Sequence, residues 1–196
     1  ALKLTRYRRY ITDDLEPFYR DPEIAVLGIN TARSATFKGG RVNSRQVARM
    51  KKRLGPLNGV TKIVVTHHPF DLPEAYPDKA LVGSARRAMQ QLAGSGIDLF
   101  LAGHLHIGLS EPTALRFQIG GRSPLMIQAG TALSSRVRGE ANSFNVIRIE
   151  HPNISVSRLV WRADLKMFVS SHADYFRHTE AGWARGSKLD FAEPEE

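Results

Sequence analysis

The chain has 196 residues, 42% hydrophobic and 24% charged, a composition typical of one globular domain and unlike that of a disordered segment. Its formal net charge of +9 favours phosphate-bearing ligands, from small esters to nucleic acid. The lack of cysteine excludes disulfides and thiolate metal sites, and it favours the cytoplasm. No apolar run is long enough to predict a membrane span, and the basic N-terminus does not have the form of a signal peptide.

Strands and helices are predicted to alternate over the first half of the chain. Short apolar runs bounded by turn residues indicate buried strands, and apolar residues at helical spacing, such as Val47, Met50 and Leu54, indicate helices. The predicted elements are strand 23–30, helix 44–54, strand 62–66, helix 84–92 and strand 97–102. This order predicts a parallel sheet with right-handed crossovers.

The second half of the chain is predicted to form strands without intervening helices. Strands are expected at 124–131, 144–149 and 154–161, and a turn sequence joins the last two into a β-hairpin of a second sheet. Residues 1–22 give no clear period and are expected to be irregular or helical. Residues 162–196 are expected to pack as a tail, through aromatic side chains, on a single domain that covers residues 1–196.

Four of the seven histidines lie where two predicted strands end. His67 and His68 follow one strand directly, and His104 and His106 follow the next strand, with Gly103 expected to give their loop an unusual backbone angle. Ligands bind at the carboxyl edge of open α/β sheets, and neutral imidazole is the commonest metal ligand. The pattern predicts a metal site at this edge. The alternative is a set of buried histidines that are hydrogen-bonded to the backbone.

The two histidine motifs resemble those of the calcineurin-like metallophosphoesterases, in the branch that includes bacterial cyclic-nucleotide phosphodiesterases. The resemblance is carried by His67-His68-Pro69 after a Val-rich strand and by Gly103-His104-Leu105-His106, and it continues through Ala129-Gly130-Thr131 and Asn142-Ser143-Phe144-Asn145. It implies an α/β fold in which two β-sheets are flanked by helices, an α/β/β/α sandwich. Two divalent ions (Mn, Fe or Zn) are expected at the strand ends of the complete enzyme.

The same resemblance implies a role for each histidine. His67 and His104 bind one ion and His106 binds the other, while His68 lies beside the substrate. Separately, the positive charge of Arg136 is expected to steer an anionic substrate, and the alternative is an ordinary surface charge. The implied reaction is hydrolysis of a phosphate ester, a cyclic nucleotide or similar small molecule, by a water that the two ions activate. The chain would then be a binuclear phosphodiesterase or phosphatase.

The other metal motifs of this family, Asp-X-His, Gly-Asp and Gly-Asn-His-Asp, are absent from the sequence. Three neutral imidazoles cannot hold two dications that lie about 4 Å apart, because such a site needs anionic bridging groups. The resemblance therefore implies the C-terminal portion of such an enzyme. The bridging Asp and the general acid are expected outside this chain, which by itself binds one ion or none.

Three other functions stay open at this point. The basic composition allows a nucleic-acid-binding or nuclease-type domain, although no aromatic residue interleaves the basic run Arg41–Arg53. The same fold without its ions would be a non-catalytic remnant. A mononuclear zinc site formed by His67, His104, His106 and a water would need no further ligand.

Overall fold

The computed structural model describes residues 4–32, 39–73, 75–77, 80–112, 122–134 and 140–191. These residues form ten strands and three α-helices, and a short 3-10 helix covers Lys188–Asp190. In chain order the elements are α1 (Thr5–Tyr10), β1 (Phe18–Arg20), β2 (Ile24–Ile29), α2 (Ser44–Leu54), β3 (Thr61–Thr66), α3 (Ala85–Leu92), β4 (Leu99–Ala102), β5 (Leu109–Pro112), β6 (Leu125–Gln128), β7 (Ser143–Glu150), β8 (Asn153–Arg162), β9 (Met167–Thr179) and β10 (Gly182–Arg185).

A six-stranded sheet in the order β1-β2-β3-β4-β6-β5 is the centre of the fold. Its four inner strands are parallel, and β1 and β5 pair antiparallel at the two edges. The predicted parallel sheet is therefore confirmed. The edge strand β5 has no counterpart among the predicted elements, because its sequence Leu109-Ser-Glu-Pro112 is short and lacks an apolar run.

Two amphipathic helices cover one face of this sheet. Helix α2 begins at a capping box in which the Asn43 side chain accepts from the Gln46 backbone N–H and the Gln46 side chain accepts from the Asn43 N–H. Its buried side chains include Val47, Met50 and Leu54, as the helical spacing predicts. The buried side of α3 joins the same apolar core, together with alternate residues of the inner strands.

The opposite face of the six-stranded sheet packs against an antiparallel sheet in the order β10-β9-β8-β7. A second core fills the space between the two sheets. The buried members of this core are Ile63, Leu99, Leu125, Ile127, Ile154, Val156, Phe176 and Trp183. The predicted hairpin in a second sheet is β7 and β8. Within the described residues the fold therefore has three of the four expected layers, which are the α2–α3 helix layer, the six-stranded sheet and the four-stranded sheet. Helix α1 does not supply the fourth layer, because it buries no side chain.

The segment after residue 162 contains two further strands of the second sheet. Strand β9 pairs with β8 along almost its whole length, and β10 pairs with β9. Phe176 and Trp183, expected to anchor a tail, are instead strand residues of the core between the sheets. Within the described residues, no helix has the length and apolar character that crossing a bilayer requires.

Candidate metal centre

The parallel pairing of β3 and β4 brings the two histidine motifs to the same edge of the sheet. His67 directly follows β3, and His104 lies two residues beyond β4. The Gly103 backbone N–H donates to the His67 carbonyl oxygen, with an N–O distance of 3.2 Å. As a result His67 Nε2 and His104 Nδ1 lie 3.2 Å apart. The crossover topology thus converts a separation of 37 residues in the sequence into direct contact.

Three imidazoles, those of His67, His68 and His104, form one compact group. One ring nitrogen from each lies within 4.8 Å of those of the other two. The ring centroids are 4.8 Å apart for His67 and His68, 5.0 Å for His67 and His104, and 4.4 Å for His68 and His104. This spacing would allow the three nitrogens to converge on one metal ion. The resemblance had assigned His106 to a second ion and His68 to the substrate, and only the mononuclear zinc alternative had grouped His106 with His67 and His104.

The His68 ring is held in place by two residues that come before β3 in the chain, Thr31 and Gly40. Its Nδ1 lies 2.8 Å from the hydroxyl oxygen of Thr31, which follows β2 closely. Gly40 lies against the ring so closely that a Cβ at that position would overlap three ring atoms. The side chain is 7% exposed. Sequence reasoning noted Asn30-Thr31 only as the polar end of a strand and did not identify Gly40 as part of the site.

His104 and His106 both adopt left-handed backbone conformations, with φ of 77° and 63°. Residues with a Cβ rarely occupy this region, and strained backbone of this kind concentrates at functional sites. Gly103, expected to supply the unusual angle, does not have a positive φ. The bend in this loop is therefore made by the histidines themselves.

His106 lies in the same loop as His104 but is not a member of the three-histidine group. Its Nδ1 contacts the hydroxyl of Thr131, which lies beyond the end of β6. The loop is also fixed by Gln128, whose side-chain amide donates to the Gly103 carbonyl oxygen. A metal-binding histidine commonly uses its second nitrogen for an orienting hydrogen bond of this type. His106 is close enough to His67 to help lower the pKa of that ring.

The environment lowers the pKa of two histidines of this site, His67 and His68. Burial, followed by the charges of His104 and His67, lowers the pKa of His68 to about 4. Burial is also the main cause that lowers the pKa of His67, with a smaller contribution from His106. A metal ion binds the neutral form of imidazole, so a lowered pKa leaves the nitrogen lone pair available at neutral pH.

The donor set fits one divalent ion of the kind that imidazole prefers, such as Zn, Mn or Fe. Three histidines with one position left for water form a workable catalytic zinc shell. In the described part of the chain, no carboxylate joins the group. A second ion held about 4 Å away would need anionic bridging groups that these residues do not provide. Arg136, expected beside the substrate, lies outside the described residues.

Comparisons with known proteins give a fold but no close relative. No family model and no curated protein matches the sequence. Among solved structures, PhoD superposes with a TM-score of 0.63 at 9% identity, over 89% of this chain and 44% of that one. Purple acid phosphatase PPD1 from yellow lupin (Lupinus luteus) seeds superposes with a TM-score of 0.53 at 9% identity, over 81% of this chain and 32% of that one.

The chain therefore shares its two-sheet α/β fold with PhoD and with a purple acid phosphatase. The Plasmodium protein GAP50, described as the anchor in the inner membrane complex, also superposes, with a TM-score of 0.53 at 14% identity over 83% of this chain and 55% of that one. This chain thus spans one third to just over half the length of the structures that it resembles. At identities this low the likeness concerns the fold, so the activity has to be argued from the residues of the metal centre.

Proposed function

We propose that this chain is part of a metal-dependent hydrolase of phosphate esters, and that its substrate is a phosphodiester such as a cyclic nucleotide. The proposal is carried by the convergence of His67, His68 and His104 where two adjacent parallel strands end. A purple acid phosphatase is among the structures that share the fold. The net charge of +9 favours an anionic substrate.

The side chains divide into ligands and groups that orient them. His67 and His104 are the primary ligands, because their ring nitrogens lie only 3.2 Å apart at the open edge of the sheet. His68 is the third nitrogen of the group, and Thr31 fixes its ring through Nδ1 so that Nε2 is the atom left to bind. His106, oriented by Thr131, is available to a second ion.

A divalent ion at this position supplies Lewis-acid activation of water and of the phosphoryl oxygens. The protein contributes a rigid edge that fixes the direction of each imidazole. It also contributes neutral nitrogens, because burial opposes protonation of His68. We also propose, from the sequence, that the complete enzyme binds two ions rather than one and that it is located in the cytoplasm. A second ion would require carboxylates beyond those that the described residues bring to the site.

The proposal is tested by replacing His104 with Ala in the complete protein. Zinc or manganese affinity, measured by calorimetry, is expected to fall by more than about tenfold because one of three ligands is lost. Hydrolysis of bis(p-nitrophenyl) phosphate is expected to be abolished, with an unchanged circular dichroism spectrum. His172→Ala is the matched control, since His172 is an exposed histidine on β9. Near-normal turnover in His104→Ala would refute the assignment of the site.

A further inference from the structure

A second site lies at the opposite edge of the six-stranded sheet, where β3, β4 and β6 begin. It includes Lys62 near the start of β3 and Asp98 just before β4. His67 follows the other end of β3, so five residues of extended chain place Lys62 roughly 16 Å from the metal centre. Residues at this edge have no part in the proposed hydrolysis.

Two connected cavities occupy this edge. The inner one, of about 330 Å³, is lined by Phe100, Pro124 and Trp183 and presents apolar and aromatic walls. The outer one, of about 650 Å³, is a polar groove that reaches Lys62 and His151. The two cavities share four lining residues, Gly96, Asp98, Arg122 and His178. Together they would suit a small molecule that has a flat ring at one end and a polar group at the other.

Lys62 brings an unusual charge to the groove. Its side chain is 7% exposed, and Nζ donates to the Ser95 carbonyl oxygen at 3.1 Å. An ammonium group has three donors, and in the described residues this is the one hydrogen bond that it makes. Ser95 itself is buried, and within the described chain its hydroxyl has no hydrogen-bond partner. Buried donors without acceptors are costly unless a ligand or water satisfies them.

Three carboxylates, those of Asp98, Glu150 and Glu23, line the groove. Asp98 accepts from the Lys62 backbone N–H at 2.8 Å and from the Trp183 indole N–H at 3.3 Å. Glu150 lies 3.7 Å from Arg148 in an exposed ion pair, and Glu23 stands exposed at the rim. Arg122 is exposed and makes no hydrogen bond with the described residues. Lys62 and Arg122 therefore keep N–H donors that face the groove, and an acceptor-rich ligand would satisfy them.

We infer that this edge binds a small phosphorylated molecule, with its phosphate held by Lys62 and Arg122 and its flat ring in the inner cavity beside Trp183. Guanidinium and ammonium groups are the usual partners of phosphate oxygens. The aromatic wall is itself fixed, because Asp98 holds the Trp183 indole and the His178 ring lies 5.1 Å from it, centroid to centroid. The site is separate from the metal centre and needs no ion.

Adenosine monophosphate, inorganic phosphate and adenosine are suitable probes, titrated in EDTA so that no metal contributes. The chain has two tryptophans, so in Trp161→Phe the tryptophan emission, excited selectively over the tyrosines, comes from Trp183 alone. In this background the nucleotide is expected to change the fluorescence saturably. Phosphate and adenosine, measured separately, are each expected to bind about tenfold more weakly or worse, since each makes only part of the contacts. If adenosine bound as tightly as the nucleotide, the phosphate would contribute nothing to binding, and the proposal would be overturned.

Variants locate the binding. Arg122→Gln, an exposed change that leaves the core intact, is expected to weaken nucleotide binding by about tenfold, and Lys62→Met by at least as much. Arg45→Gln on α2 makes the same change of charge at a remote exposed site and is expected to have no effect. His104→Ala is also expected to leave this binding unchanged. Unchanged affinity in Arg122→Gln, or loss of binding in His104→Ala, would overturn the proposal.

Discussion

Replacing Gly40 with Ala tests how tightly the fold holds the His68 ring. An added Cβ would overlap the Nδ1, Cγ and Cε1 atoms of the ring. The ring has little room to retreat, because it is 7% exposed and its Nδ1 lies 2.8 Å from the Thr31 hydroxyl oxygen. Either His68 or the Gly40 backbone must move, and overpacking of this kind costs about 1–3 kcal/mol.

A cost near the middle of that range lowers the melting temperature of a chain of this size by about 4–8 °C. Because the His68 ring turns away from its position, metal affinity is expected to fall by about 10–100-fold, as when an orienting contact of a metal ligand is lost. Thermal unfolding of the metal-free chain and a zinc titration measure the two effects independently.

Gly39→Ala is the matched control, since a Cβ on Gly39 has no atom within 4 Å. It replaces a neighbouring glycine of the same loop, so the loss of backbone entropy in the unfolded chain is the same in both variants. Equal melting temperatures and equal zinc affinities for Gly39→Ala and Gly40→Ala would show that His68 is not confined as described, and the reasoning would fail.

Two further predictions concern the charge of His68 and the start of α2. Between pH 6.5 and pH 4 His68 binds a proton in the unfolded chain but not in the folded one. The free energy of unfolding should therefore decrease as the pH is lowered through this range, by up to about 3 kcal/mol from this residue. Urea unfolding of the metal-free chain at several pH values measures this, and a His68→Gln variant with the same pH dependence would contradict it. Asn43→Ala removes the side-chain acceptor of the capping box and should cost about 1 kcal/mol in urea unfolding, whereas the exposed Lys52→Ala on the same helix should cost far less. Equal losses in these two helix variants would argue against the cap.

The histidine motifs show how far sequence reasoning reached at the site. That His67 and His104 would meet followed from the order strand, helix, strand, because parallel neighbours end at the same edge of a sheet. Which third histidine joins them did not follow. The resemblance assigned His106 to a second ion and His68 to the substrate, and the mononuclear alternative grouped His106 with His67 and His104. The structure instead groups His68 with them and pairs His106 with Thr131.

The sequence by itself determined the local elements and their order. Helix α2 and strands β2 to β4 depend on side-chain periodicity and end signals, which are properties of neighbouring residues. Tertiary structure alone decided which side chains meet. The positive φ angles of His104 and His106 redirect both imidazoles, and the contacts of His68 with Thr31 and Gly40 join segments that are far apart in the chain. Such contacts depend on backbone directions and on packing between distant segments. Neither of these produces a repeating pattern of residue types in the sequence, so neither can be predicted from it.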